Sequence, residues 1–589
     1  MIIPKIIIRL FMAAVSIAAL SFIICLVSCP AISIYAKNTN TAKNEPVNMR
    51  KAGRKVYIGN GCFACHGDHR LGKSAPPLTP QFIGRLSYDK LKTIITKGLF
   101  PVPMPAFKKL SGKDLSDLIS YLKSPSEKVL WNKNDIKTSL IKYENTKKPN
   151  IKPVNIKNLM AVVEGGTGKV WIMKGTKILN KFNFGNIHGG LKYSPSGRYL
   201  YLPSTTGYVG KYDFYAKKLS YKIRACRYLR NISLSEGGKY VLAACWLPES
   251  IVVLNSKNLK PVKIIPLKHR ISVIYGLFRN NEAVFSFMHM PVIGILNTVT
   301  LNVSYYKIPV PFQDFFIDPL DEYVVGTSFK NGDLNVFNLK THKIVYSHKS
   351  EGIPHLAGAA FWFDKGRFYF ALTNLTQPYV SVWRMYDWKF IRRVYTGGVG
   401  FFVKTNPYSK YLWVDNSSDA DILINKYNFQ IKKIVVKKGA LVIHTQFAGN
   451  ERLAYISDYG KNGELAIAGV NSLKIIKNIP ADNVIGIYNY VNFQRRNEAA
   501  LLGEEVYFSY CWGCHNPTLQ SIGPSFSYID RHLTGREIKA QIADPKEVSK
   551  LLGYKSNAMP AFKLDKQELR AIIVFIRNSG NRNFWRHGN

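Results

Sequence analysis

The chain of 589 residues carries 82 Lys and Arg against 37 Asp and Glu, a net charge of +45. Nucleic acid is the usual partner of such a balance, but no reader motif occurs, the basic residues are spread through every segment, and the chain opens on what reads as an export leader. The excess points instead to acidic redox partners, an anionic substrate or adaptation to an acidic exterior.

Residues 1–36 form that leader. Lys5 and Arg9 open it, residues 11–27 are apolar, and Ile34-Tyr35-Ala36 ends on a small residue suited to cleavage. Two other fates fit the same residues. Leu26-Val27-Ser28-Cys29 resembles a lipoprotein box that would leave a lipidated Cys29, and an uncleaved run of about 18 apolar residues would anchor the chain in a membrane. All three place the folded protein outside the cytoplasm, as a periplasmic protein.

Residues 45–130 form a helical unit built around Cys62-Phe63-Ala64-Cys65-His66. Two thiols three residues apart reach the two vinyl groups of one porphyrin, and the adjacent His66 is held beneath the iron, which is the attachment signal of haem c. A zinc site would want four ligands, and no second Cys or His pair lies nearby. A helix over residues 48–60 leads into the motif, and the proline-bearing loop Ser74-Ala75-Pro76-Pro77-Leu78 follows it. Met104, within Met104-Pro105-Ala106-Phe107, comes 38 residues after His66 and supplies the sixth iron ligand. Leu115, Leu118, Ile119 and Leu122 then recur at helical spacing.

Residues 150–495 have a different grammar. Short runs rich in Val, Ile, Tyr and Phe alternate with Gly, Asn, Asp and Ser turns, which reads as all-β. The runs repeat, as in Ser196-Gly197-Arg198-Tyr199-Leu200, Gly237-Gly238-Lys239-Tyr240-Val241, Lys365-Gly366-Arg367-Phe368-Tyr369, Ser409-Lys410-Tyr411-Leu412-Trp413 and Glu451-Arg452-Leu453-Ala454-Tyr455. Weaker members begin near Leu159, Glu282 and Glu322, and a spacing of about 38 to 45 residues matches one four-stranded blade. Eight such units predict an eight-bladed propeller, with a stacked solenoid as the alternative. Propellers bind at the channel mouth, so His188, His289, His355 and His444 become candidates, while His269, His342 and His348 sit in polar stretches and read as surface. Cys226 and Cys245 belong to neither haem nor leader, and their spacing leaves a disulfide and buried free thiols equally open.

Residues 496–582 repeat the first unit. Cys511-Trp512-Gly513-Cys514-His515 follows a helix over residues 498–510, and Met559-Pro560-Ala561-Phe562 comes 44 residues after His515. The same tetrapeptide at both sites argues against coincidence. Cys511 and Cys514 therefore tether a second haem c, with His515 and Met559 on its iron. Both units resemble class I cytochromes c. The expected architecture is multidomain: an all-β eight-bladed propeller flanked by two all-α cytochrome c units.

The propeller in turn resembles the cytochrome cd nitrite reductases and their haem d1-binding relatives. Ile187-His188, Ser286-Phe287-Met288-His289-Met290-Pro291, Pro354-His355 with Gly358-Ala359-Ala360-Phe361, and Gly397-Gly398-Val399-Gly400-Phe401-Phe402-Val403-Lys404 with Tyr411-Leu412-Trp413-Val414-Asp415 follow the family's order. The resemblance implies haem d1, with His188 as its proximal iron ligand and His289 and His355 on the distal side. It further implies reduction of nitrite to nitric oxide, those two histidines relaying protons and haem c returning the electron. Small electron-transfer proteins of cytochrome c or cupredoxin type would be the partners, and the family pattern implies a homodimer. The chain departs from the pattern at Ser204-Thr205-Thr206-Gly207 and at Gly358, where the family has carboxylate-pairing arginines, and at Asn406, where it has a histidine. Arg227, Arg230 or nearby lysines would then hold the d1 carboxylates. A C-terminal second cytochrome is also outside the family plan. Two alternatives stand beside nitrite reduction: a dehydrogenase of d1 maturation, and an electron-transfer protein whose propeller holds no cofactor.

Overall fold

The computed structural model describes residues 47–579 apart from positions 74, 85, 99–103, 127–128, 144–153, 188–189, 279, 366, 407–408, 450–451, 461, 498 and 555–556. The leader reading, with Cys29, lies outside the described residues, and so does His188. Among the described residues no helix is long and apolar enough to cross a membrane.

Eight antiparallel sheets, each built on four strands, form the ring. Seven blades are continuous in sequence. The eighth closes the circle, because Val484–Asn489 supplies the innermost strand to a blade whose other three strands begin at Leu159–Glu164. Ala161 pairs with Tyr488 and Val162 with Ile487, so the two ends of the propeller are zipped by main-chain bonds. We number that blade one and count onward in chain order.

The repeats legible in the sequence are the second strands of the blades, such as Tyr240–Leu247, Arg367–Asn374 and Leu453–Asp458. A second strand lies between neighbouring blades and is buried on both faces, so its sequence is a nearly unbroken apolar run; all eight residues of Tyr240–Leu247 are buried. The outermost strands face water on one side and alternate instead, as in Lys177–Asn183 and Lys343–His348. Their lysines blunt the open edges of the sheets and account for part of the diffuse positive charge. Adjacent blades are pinned at one repeat's distance. Asn231 Nδ2 donates to Ile274 O at 2.9 Å, and the Asp314 carboxylate accepts from Leu356 N at 2.6 Å and from Ala357 N.

Each cytochrome unit crosses its first helix over its last: Val47–Gly59 over Gly112–Lys123, and Ala499–Tyr510 over Lys566–Asn578. Gly53 and Gly503 permit the close crossing. A Cβ on Gly53 would collide with Asp117 O, and one on Gly503 would collide with Ala571 O and lie 2.6 Å from Phe575 Cβ. Ser111 and Asp565 cap the last helices by accepting from the backbone N–H of Asp114 and Glu568.

Inner strands start at one end of the ring, the mouth, and finish at the other, the base. The first cytochrome sits on the mouth over blades three and four. Its Phe82 ring lies 5.0 Å from Tyr228 and 6.1 Å from Trp246, and Arg270 reaches over the same ring at 5.4 Å. A linker then runs down the outer edge of blade two, where Ile141–Lys142 adds a fifth strand. The chain leaves the ring at the base through helix Tyr490–Asn497, and the second cytochrome docks there under blades five and six. Val506, Tyr507, Ala571 and Phe575 share one core with Phe363, Phe368 and Trp388. Glu505 accepts from Phe363 N at 2.5 Å, Arg570 pairs with Glu322, and Arg367 pairs with Asp565 at 3.0 Å.

Candidate functional site at the mouth of the ring

The two haem-attachment sites share one geometry. His66 Nδ1 bonds to Pro76 O at 2.7 Å, and His515 Nδ1 bonds to Pro524 O at 2.8 Å. A carbonyl partner requires the proton on Nδ1, which leaves Nε2 as the metal-binding atom. Burial lowers the His66 pKa, keeping that imidazole neutral. Tyr57 OH donates to Gly67 O and Tyr507 OH to His515 O, bracing the two motifs alike. Gly523 forms part of the cradle, since a Cβ there would lie 2.5 Å from the His515 ring. Burial, with Cys514 beside it, pushes the Cys511 thiol up to about 12. Met104 and Met559 are half-buried and pack against the cores of their units. Residues and histidine orientation fit a thioether-linked haem in each unit, held by Cys62, Cys65 and His66 or by Cys511, Cys514 and His515.

The propeller mouth gathers a second set of groups, all from inner strands or the turns beside them. His355 opens the inner strand Pro354–Asp364 of blade six and is buried. Its Nδ1 bonds to Phe401 O, and its Nε2 lies 3.8 Å from the Asp314 carboxylate of blade five. Phe402 stands beside it with ring centroids 5.4 Å apart, and His444 of blade eight packs on the other edge of Phe402 at 4.6 Å. Burial, reinforced by the Lys404 cation, lowers the His444 pKa to about 3. Its Nδ1 is buried and meets no hydrogen-bond partner among the described residues. Sequence reasoning placed His444 with the loop histidines but left it out of the predicted site. Asp314 gave no signal at all, because its partners lie one blade further along the chain.

Across the mouth, Arg224 and Arg230 are buried and Arg227 is half-buried beside the first cytochrome. Arg224 donates to Thr206 O and to Gly72 O of the cytochrome, and Arg230 donates to Ser272 O at 3.0 Å. Arg227 stacks on Trp131 at 4.3 Å, and its buried Nε has no hydrogen-bond partner among the described residues. Cys226 and Cys245 form a disulfide between these elements, which resolves the question their spacing left open. The orphaned Nε of Arg227 and Nδ1 of His444, one cationic and one neutral, are groups that a planar ligand bearing carboxylates would satisfy.

The remaining predicted residues fall as follows. His289 stands on the tight turn between the second and third strands of blade four, exposed at the rim rather than buried with His355. Ile187 bridges to Ser204 at the mouth, and His188 is outside the described residues. Gly358 has a local reason: a Cβ there would collide with Phe401 O and lie 2.8 Å from His355 Nδ1. The bond that holds His355 thus leaves no room for the arginine that the resemblance led one to expect.

Comparison with known proteins agrees with this division. The family model for the Cytochrome D1 heme domain matches residues 154–493, more than half of the chain. That for Cytochrome C oxidase, cbb3-type, subunit III matches residues 48–122 and again 498–576. Dihydro-heme d1 dehydrogenase of Pseudomonas aeruginosa is 29% identical over 453 residues, covering 73% of this chain and 92% of the relative. Protein NirF of the same organism is 21% identical over 368 residues, covering 56% of this chain and 91% of its own length. The solved structure of dihydro-heme d1 dehydrogenase NirN in complex with DHE superposes with a TM-score of 0.69 and 28% identity, over 75% of this chain and 99% of that one. Two covalent haem c groups and a d1-type macrocycle are the cofactors these matches support. With a single family model spanning the ring from Val154 to Phe493, the chain belongs to the cytochrome D1 heme domain family.

Proposed function

We propose that this protein is an exported dehydrogenase that oxidises a reduced, dihydro form of a d1-type macrocycle at the propeller mouth and passes the electrons to haem c. This replaces nitrite reduction as the leading reading. One observation carries the choice: the similarity to dihydro-heme d1 dehydrogenase runs over 73% of this chain and 92% of that relative. Making nitric oxide from nitrite consumes two protons and one electron. A dehydrogenation runs the other way, since two hydrogens leave as two protons and two electrons and a double bond forms.

His444, lowered to about 3 by burial, stays neutral and is too weak a base to take the proton, so it lines the mouth as an uncharged hydrogen-bonding group. His355 commits its Nδ1 proton to Phe401 O, which makes Nε2 the position that accepts a proton. The Asp314 carboxylate, 3.8 Å from Nε2, favours the imidazolium once it forms. Arg224, Arg227 and Arg230 would hold the substrate carboxylates by charge-assisted hydrogen bonds. Exposed on the rim, His289 has no proton-transfer role in this reading. Haem c of the first unit, when bound, supplies one-electron redox chemistry at the mouth. The match to dihydro-heme d1 dehydrogenase supports the same reading, because it covers 73% of this chain, more than the propeller alone would fill.

The test is anaerobic mixing of the oxidised holoprotein with the dihydro macrocycle. The pigment spectrum should change as the reduced c-haem band rises, with no other oxidant present. Nitric oxide release from nitrite and a reduced carrier, without any conversion of the dihydro pigment, would overturn the reading.

A further inference from the structure

The two cytochrome units provide an internal control. In each, a loop joins the haem histidine to the proline whose carbonyl fixes it, residues 67–75 in the first unit and 516–523 in the second. In the first unit this side is the docking surface. Leu71 packs on the aromatic patch of blade three, Gly72 O accepts from Arg224, and Phe82 just beyond the loop lies against Tyr228. In the second unit the same side faces solvent. Leu519 is 67% exposed and Ile522 76%, with Trp512 of the haem motif at 64%. That unit is held to the base by its first and last helices instead.

An exposed apolar patch marks an interaction site, and this one lies in the haem-attachment motif and the loop that follows it. We infer that Trp512, Leu519 and Ile522 form the docking site for a small one-electron carrier, a single-haem cytochrome c or a cupredoxin, whose rim around the redox centre is apolar and uncharged. One electron passes from the ferrous haem of the second unit to the ferric or cupric partner, and no bond or proton moves. Charge selects this partner. Residues 47–123 hold 14 Lys and Arg against 4 Asp and Glu, whereas residues 499–579 hold 10 against 8. The second unit is therefore nearly neutral within a protein of net charge +45. A second copy of the chain fits poorly, because its own first unit already covers the aromatic patch and the two copies repel. The mouth of the same molecule is out of reach. From His355 at the mouth to Phe363 at the base, the inner strand alone spans about 26 Å at about 3.3 Å per residue. The inference does not depend on which reaction the mouth performs.

The experiment uses the full-length two-haem protein, reduced with ascorbate, and an oxidised cupredoxin with an uncharged apolar rim. The Leu519→Lys/Ile522→Lys double variant should slow the second-order transfer from one of the two c haems about tenfold and weaken calorimetric binding about as much. Its absorption spectrum and haem content should match those of the parent. A tenfold rise in salt should change the parent rate by less than about twofold. Unchanged rate and affinity in the double variant would overturn the inference. So would a steep fall of the parent rate with salt, which would place docking on the lysines, or a concentration-dependent dimer that the double variant abolishes.

Discussion

The two cytochromes share a fold, a haem motif and a Met-Pro-Ala-Phe loop, yet they meet the propeller with opposite sides. The first presents its haem-histidine loop to the aromatic patch of blade three, beside the arginines of the mouth. The second buries its helix pair against blades five and six and leaves the equivalent loop bare. What a haem can serve is decided by which side of its unit is covered. On this geometry the first haem belongs to the mouth and the second to an outside partner. Removing each haem in turn is the sharpest way to break the comparison. Cys62→Ala/Cys65→Ala should abolish transfer from the mouth-bound pigment to c haem, and Cys511→Ala/Cys514→Ala should leave the first one-electron transfer intact, the second electron passing to an added oxidised carrier, both read by rapid-scan absorption. Equal loss in the two variants would show that the faces are wrongly assigned.

A smaller effect separates the buried histidines from the exposed one within the mouth. His355→Ala should slow pigment conversion about 10²- to 10³-fold, the range for a positioned acid–base group. His444→Ala should slow it less, because a neutral imidazole with a pKa of about 3 positions the pigment rather than taking its proton. His289→Ala should slow it less than about fivefold, because His289 is exposed at the rim rather than buried beside His355. Pigment binding, followed by absorption titration, should survive in all three. A profile in which His289→Ala is the most damaging would return the chemistry to the rim.

The contrast between haem sites and mouth also marks what the sequence could reveal. Thioether attachment needs contiguous residues, so Cys62, Cys65 and His66 and their second copy stand out at once. The propeller was legible because second strands such as Tyr240–Leu247 are buried on both faces and read as repeated apolar runs. The Gly53–Tyr57 and Gly503–Tyr507 pairs, four residues apart in both units, were an available sign of the helix crossing that passed unnoticed. The mouth was only half legible. His355 draws its partners from Asp314 and Phe401, 41 and 46 positions away, and no local pattern announces such pairs. His444 is distinguished by its burial and its orphaned Nδ1, neither of which has a sequence signature. Which side of each cytochrome would be covered was illegible for the same reason, since the apolar residues of the loop look alike whether they dock or stay bare.

The smallest effect concerns acid, and its sign differs between mouth and base. At the mouth, burial first and the Lys404 cation second lower His444 to about 3, below the value of about 6.5 in an unfolded chain. Between those limits the unfolded chain binds a proton that the folded one does not. His444 therefore contributes stability that is present above about pH 6.5 and lost as pH falls toward 3. At the base, burial raises Asp318 to about 6, against the pull of the N–H groups of Tyr323 and Leu320, the Tyr386 hydroxyl and the Arg570 cation. Here the folded chain holds the extra proton, so the contribution is present below about pH 3.9 and lost as pH rises through 6. Acidification from pH 7 to 5 should therefore cost the parent protein about 2 kcal/mol more than it costs His444→Phe, since the window below 6.5 is about 1.5 pH units wide. Over the same range Asp318→Asn should forfeit a gain of about 1 kcal/mol that the parent enjoys. Hydrogen exchange in the inner strands of blades eight and five, at both pH values, reads the two faces separately. Equal pH slopes for parent and His444→Phe in blade eight would mean that the imidazole titrates alike in the folded and unfolded chain, and the case for a neutral His444 at the mouth would fall with it.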